Sequence, residues 1–158
     1  MIAKSPRNGD KLLLCGNGGS GADCQHISAE FTGRLVKDRP PISAISLITD
    51  TSALTCICNY YAFNEVFSPK VFALGRQEDT LLVITTSGNS GNVLSALDAA
   101  KELGFHTIGL LGRDVSKARQ VCTHSIVVSS NVTARIQEAH ILIGHTICGV
   151  VENELGLL

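Results

Sequence analysis

Tryptophan is absent from the sequence, and aromatic residues make up only 4% of it. A platform for stacking nucleobases is therefore not expected. Charge is scarce as well: 17% of residues are charged and the net charge is -1, so neither nucleic acid nor an acidic membrane surface is expected as the main partner. No apolar run reaches membrane-spanning length, and Met1 to Asp10 is short and polar, with Pro6 and Gly9, unlike a signal peptide. A cytoplasmic protein is expected. In that compartment the six cysteines, Cys15, Cys24, Cys56, Cys58, Cys122 and Cys148, stay reduced and act as small apolar fillers. Cys56-x-Cys58 has no second pair to complete a zinc site. Walker, kinase and nucleophile-elbow motifs are missing too.

What is present is a chain of 158 residues, 44% hydrophobic, which suits one domain with a sizeable core. Its most informative stretch is Ile84-Thr-Thr-Ser-Gly-Asn-Ser-Gly-Asn92. The apolar run before it reads as a buried strand over Thr80 to Thr85, and Asn92 to Leu103 reads as a helix with Gly104 as its C-cap. A loop between a strand and a helix receives free backbone N–H groups and the positive end of the helix dipole. Thr85, Thr86, Ser87 and Ser90 add hydroxyl donors. Such a loop is an anion seat, and a phosphate monoester is the small anion that fits it.

The rest of the chain alternates in the same way. Strands are expected at Lys11 to Cys15, Ile42 to Ile48, His106 to Leu111 and Ser125 to Val128. Helices are expected over Ala22 to Val36, Thr49 to Asn59, Phe63 to Leu74 with a break at Pro69, Val115 to Gln120 and Thr133 to Leu155. This predicts an α/β fold: a five-stranded parallel sheet with helices on both faces, a flavodoxin-like three-layer sandwich. Both glycine- and serine-rich loops then open at the C-terminal edge of the sheet, where ligands bind in such folds. A first strand as early as residue 11 predicts one sheet face with little cover.

Gly16-x-Gly18-x-x-Gly21 also matches a dinucleotide fingerprint. That reading wants an acidic residue at the end of the second strand. Asp38 comes too early and Asp50 too late, and the Thr85–Ser90 loop goes unexplained.

His26 and Glu30, four apart, share a helix face just beyond the first glycine loop. The spacing also suits two ligands of a divalent metal such as zinc. Gln137, His140 and His145 lie on the long helix, where Gln137 and His145 are about 12 Å apart along the axis. Joining both to one metal with His26 and Glu30 needs long reaches or a second subunit. A carboxylate and an imidazole beside a phosphate seat point to proton transfer on a sugar phosphate: the carboxylate takes a proton next to a carbonyl, and an imidazole or metal stabilises the enediolate.

Together these stretches resemble the sugar isomerase (SIS) domain family. The likeness is carried by Cys15-Gly-Asn-Gly-Gly-Ser20, Ala22-Asp-Cys-Gln-His26, Ala29-Glu-Phe-Thr-Gly-Arg34, Arg39-Pro40, Thr85-Thr-Ser-Gly-Asn-Ser90 and Ala134-Arg-Ile-Gln-Glu-Ala-His140 with His145. The resemblance implies an aldose–ketose isomerase that makes D-glycero-D-manno-heptose 7-phosphate from D-sedoheptulose 7-phosphate, toward nucleotide-activated heptose for lipopolysaccharide core or related glycans. It implies a homotetramer with sites between subunits and one Zn2+ per subunit. It makes Glu30 the catalytic base and His145 its acid partner, and gives zinc to His26, Glu30, Gln137 and His145. Asn17, Gly18, Gly19, Glu30, Asn59, Tyr60, Thr85, Thr86, Ser87, Ser90 and Gln137 become substrate contacts.

This sequence departs from the family at Tyr60, where Asp is usual, at Gly21, at Arg113-Asp-Val-Ser116, which lacks a glycine pair, and in showing little of an N-terminal helical segment. A non-catalytic SIS protein that binds the replication initiator is the competing function, and an isomerase or sensor for another sugar phosphate is the third. The presence of both Glu30 and His145 favours the enzyme.

Overall fold

The computed structural model describes residues 2, 9–114 and 116–158. Its five strands are β1 (Leu12–Gly16), β2 (Ala44–Ser46), β3 (Thr80–Thr85), β4 (His106–Gly112) and β5 (His124–Val128). Its helices are α1 (Gly18–Thr32), α2 (Thr51–Tyr60), α3 (Ser68–Leu74), α4 (Gly91–Glu102), α5 (Lys117–Val121) and α6 (Thr133–Glu154), with a 3-10 turn at Phe63–Glu65. All strand pairs are parallel, in the order β2-β1-β3-β4-β5. The expected α/β sandwich is therefore what the chain forms.

The layers follow from strand alternation. Leu13, Cys15, Leu81 and Val83 point to a core shared with Phe67, Val71, Val93 and Leu97 of α3, α4 and the turn before α3. Leu12, Leu14, Leu82 and Ile84 point the other way, onto Cys24, Ile27 and Phe31 of α1 and Cys148 and Val151 of α6. Every residue of β3 is buried, as a central parallel strand demands. At the opposite end of the sheet Asp79, fully buried, accepts from Lys11 N at 2.8 Å, Lys11 Nζ at 2.7 Å and Arg76 N at 2.8 Å.

Beside β1 both faces of the sheet are covered, by α1 and α6 on one side and by α3 and α4 on the other. The thin cover lies at the edge strand β5, where Ile126 is 45% exposed. Ile126 is level with Leu110 and so faces the α1/α6 side, whereas α5 packs on the other face, where Ala118 joins the core of Leu111.

Several boundaries moved for identifiable reasons. The first helix starts at Gly18 rather than Ala22 and ends at Thr32 rather than Val36. Glycine there is the first helical turn, not a loop, and after Gly33 closes on the Ala29 carbonyl the chain turns away. The second strand shrinks to Ala44–Ser46, since Ile42 N–H is committed to the Phe31 carbonyl at 2.9 Å. Asp50 caps α2 through Ala53 N–H at 2.9 Å, and Pro69 sits in the first turn of α3. Val115, the expected start of α5, lies outside the described residues, as do Met1 and residues 3–8. All six cysteines are free; Cys15, Cys24 and Cys148 are buried fillers, but Cys56 is exposed. Among the described residues no helix is long and apolar enough to cross a membrane.

Candidate active site

In this strand order the chain leaves β1 toward opposite sides of the sheet, and β1 and β3 lie side by side with Gly16 level with Ile84. Their following loops face each other at this switch point. The Asn17 and Asn92 side-chain amides clasp across it with two reciprocal hydrogen bonds of 2.8 and 2.9 Å. Gly16 is required here by packing: a Cβ would press on Ser20 and Ile84 carbonyls at 2.9 and 2.8 Å. The glycines that mimic a dinucleotide fingerprint thus serve strand–helix contact.

Between the loops lies a cleft of about 280 Å³ lined by Asn17, Gly18, Gly19, Thr85, Thr86, Ser87, Ser90 and Gln137. All eight are residues expected at the substrate. Ser20 and Thr133 line it too, and the sequence did not point to them. Thr133 opens α6, Gly18 opens α1 and Ser90 holds the N-cap position of α4. Three helix N-termini, not two, therefore converge on the cleft and direct positive potential into it. Gly88, at φ +63°, turns the β3 loop; its N–H is held by Thr85 Oγ1 at 3.1 Å.

Beyond the cleft α1 and α6 run side by side in the same direction. Gly19 abuts Gln137, whose amide occupies the space of a Cβ there, and Ile27 abuts Gly144. In that register His26 meets His145: their Nε2 atoms are 2.8 Å apart and the rings are edge to face at 5.0 Å. Glu30 Oε1 lies 3.7 Å from His26 Nε2. A contact this short between two imidazole nitrogens needs a shared proton or a cation between the lone pairs.

For zinc the donor chemistry fits. Two imidazole nitrogens on a tetrahedral zinc stand roughly 3.3 Å apart, given bonds of about 2.0–2.1 Å. The observed pair is slightly closer, with the Glu30 carboxylate beside it. Among the described residues no three His, Cys, Asp or Glu close a metal cage. Gln137, the fourth expected ligand, lines the loop cleft instead. Asn59 and Tyr60 are likewise apart: both are exposed at the end of α2, Tyr60 at 75%, and Asn59 borders a shallow hollow with Ser52, Thr55 and Cys56.

A doubly wound sheet with a hydroxyl-lined cleft at its switch point and an imidazole–carboxylate cluster two helical turns away defines a protein of the SIS domain class. The SIS domain family model matches residues 1–112. The phosphoheptose isomerase of Aliarcobacter butzleri is 54% identical over 155 residues, covering 98% of this chain and 82% of that protein. Among solved structures, the phosphoheptose isomerase of Neisseria gonorrhoeae superposes with a TM-score of 0.90 at 46% identity, over 96% of this chain and 81% of that one. The phosphoheptose isomerase of Francisella tularensis gives a TM-score of 0.92 at 37% identity over the same 96% and 81%. The chain belongs to the SIS domain family and, within it, to the phosphoheptose isomerases.

Proposed function

We propose that this isomerase converts D-sedoheptulose 7-phosphate to D-glycero-D-manno-heptose 7-phosphate, the entry step to nucleotide-activated heptose for lipopolysaccharide core or related glycans. The observation that carries the reading is the distance between seat and chemistry. Gln137, at the seat, and His145 are eight residues apart on α6, a rise of about 12 Å. An extended seven-carbon chain with a terminal phosphate spans roughly 10 Å from phosphorus to C1, from single bonds of about 1.5 Å. A triose phosphate would fall well short.

In this reading the phosphate takes its hydrogen bonds from Thr85, Thr86, Ser87, Ser90 and the backbone around Asn17, Gly18 and Gly19. Glu30 removes a proton from C1 while His145 delivers one to the C2 carbonyl oxygen. The enediol then returns the O1 proton to His145 and takes a proton at C2 from Glu30, leaving the C1 aldehyde. Zinc held by His26, Glu30 and His145, with Gln137 brought to it by a second subunit, would supply Lewis-acid polarisation of the substrate oxygens. A homotetramer with shared sites would bring Asn59 and Tyr60 of one chain toward another. The exposed apolar residues Tyr61, Phe63, Leu142 and Val150 suit such contacts. The cytoplasm, with its reduced thiols and phosphorylated sugars, is the proposed location.

The test is to incubate the protein with sedoheptulose 7-phosphate in deuterated water. Deuterium is expected at C2 of an aldoheptose product; no aldoheptose at all overturns the substrate assignment and leaves the non-catalytic reading. A chelator is expected to slow turnover and added zinc to restore it, whereas full activity of metal-free protein removes zinc from the mechanism.

A further inference from the structure

Among the described residues, four buried side-chain polar atoms have no hydrogen-bond partner. Three of them belong to two residues on the α1/α6 seam: Asp23 Oδ2 and both ring nitrogens of His140. His140 is fully buried. It lies one turn beyond Gln137 on α6, and Asp23 lies one turn beyond Gly19 on α1. Since Gly19 abuts Gln137 and Ile27 abuts Gly144, the parallel register sets Asp23 against His140 in the rung between. The next rung is the His26–His145 contact.

The electrostatics agree with that placement. Burial pushes the Asp23 carboxyl up, opposed first by His140 and then by His26. Burial pushes the His140 imidazole down, opposed by the Leu111 backbone and then by Asp23. The Leu111 backbone reaches the ring from β4 and favours its charged form, through a contact too loose to satisfy either nitrogen fully.

A buried imidazole with one loose backbone contact, beside an idle carboxylate oxygen, is too unfavourable to persist dry. Neutral imidazole offers one donor and one acceptor, a carboxylate only accepts, and water does both. One enclosed water therefore meets the needs of this rung, and the rung supplies the two or more polar partners that a buried water requires. We propose that Asp23 and His140, joined through an enclosed water, form a positioning pair that fixes α1 against α6 and thereby sets Glu30 and His145 relative to the anion seat. Neither residue touches the substrate. The proposal rests on the reading of Glu30 and His145 as the reacting pair.

The test compares His140→Leu, Asp23→Asn, their double variant and His140→Gln in the full-length protein. His140→Leu keeps the bulk and removes a poorly satisfied ring, so it is expected to unfold at no lower temperature than the parent. It and Asp23→Asn are each expected to lower kcat roughly 10–100-fold. KM is expected to change by less than about threefold, because the seat is untouched. The double variant loses no more than the worse single one, since both break one unit. His140→Gln, which keeps a donor and an acceptor, regains part of kcat. A high-resolution crystal structure is expected to show one water between Asp23 Oδ2 and a His140 nitrogen.

Unchanged kcat in both single variants, or fully additive losses, overturns the pair. A seam with no water overturns the bridge. If Glu30→Gln keeps its turnover in the same assay, the reading of the reacting pair fails by itself. The water and the coupling between the two variants still judge this proposal.

Discussion

Glu30→Gln is expected to lower kcat by about 10²–10⁴-fold, the range that a positioned general base contributes. The amide has the shape of the carboxylate and keeps most of its hydrogen-bonding capacity, but it cannot take a proton from carbon. Binding should survive, because the proposed phosphate seat is built by loops after β1 and β3 and by the first turn of α6, whereas Glu30 stands three turns into α1. Calorimetric titration with the sugar phosphate should therefore give a Kd within a fewfold of the parent. Glu30→Asp draws the carboxylate back by one methylene, and a misplacement of about 1 Å can cost 10²-fold, so it should fall between parent and Gln. Zinc content measured on each variant separates a lost base from a lost ligand. Turnover in Glu30→Gln equal to the parent rules Glu30 out as the base.

The parts of this site that could be read from the sequence are those fixed by local pattern. The run Thr80 to Thr85 followed by hydroxyl residues and glycines could only be a buried strand entering a helix, and β3, the loop and α4 lie where the pattern puts them. The glycine-rich run at residues 16–21 was harder. Glycine marks flexibility in sequence terms, but here it marks close approach: Gly16 to Ser20, Gly19 to Gln137 and Gly21 to the Gly16 carbonyl. The α1 helix consequently begins four residues earlier than composition suggests. Docking was not legible at all. Nothing in the periodicity of α6 says that its first residue, Thr133, joins the loop cleft, or that it packs parallel to α1 in the register that pairs His26 with His145. His140 was legible only as a histidine on the long helix beside Gln137 and His145; its poorly satisfied ring appears only when the burial of the seam is known. Asn59 and Tyr60 came from family likeness alone, and within one chain they stay on the surface of α2.

Arg39→Met is expected to destabilise the fold by about 3–5 kcal/mol, because it strands a buried charge. Arg39 Nε donates to Glu152 Oε1 at 2.8 Å, and both side chains are 2% exposed. The same guanidinium donates to the Phe31 carbonyl at 2.6 Å, the Pro40 carbonyl at 3.2 Å and the Glu30 carbonyl at 2.5 Å. It therefore does three jobs: it neutralises Glu152 on α6, satisfies carbonyls at the open C-terminal end of α1, and pins the backbone of the residue assigned as the base. Against a typical total of about 5–15 kcal/mol, the loss is a fifth or more. For a chain of this size that is roughly 6–20 °C in Tm. Arg39→Lys should rescue little, since one ammonium cannot match a planar fork that reaches four acceptors. Arg39→Met combined with Glu152→Leu should recover much of the lost Tm, because no charge is then left buried alone. It should not recover kcat, because the Glu30 carbonyl still lacks its anchor. Thermal unfolding and steady-state kinetics on the same samples separate the two roles: a double variant that regains both stability and turnover would show that Arg39 only balances Glu152 and has no part in holding Glu30.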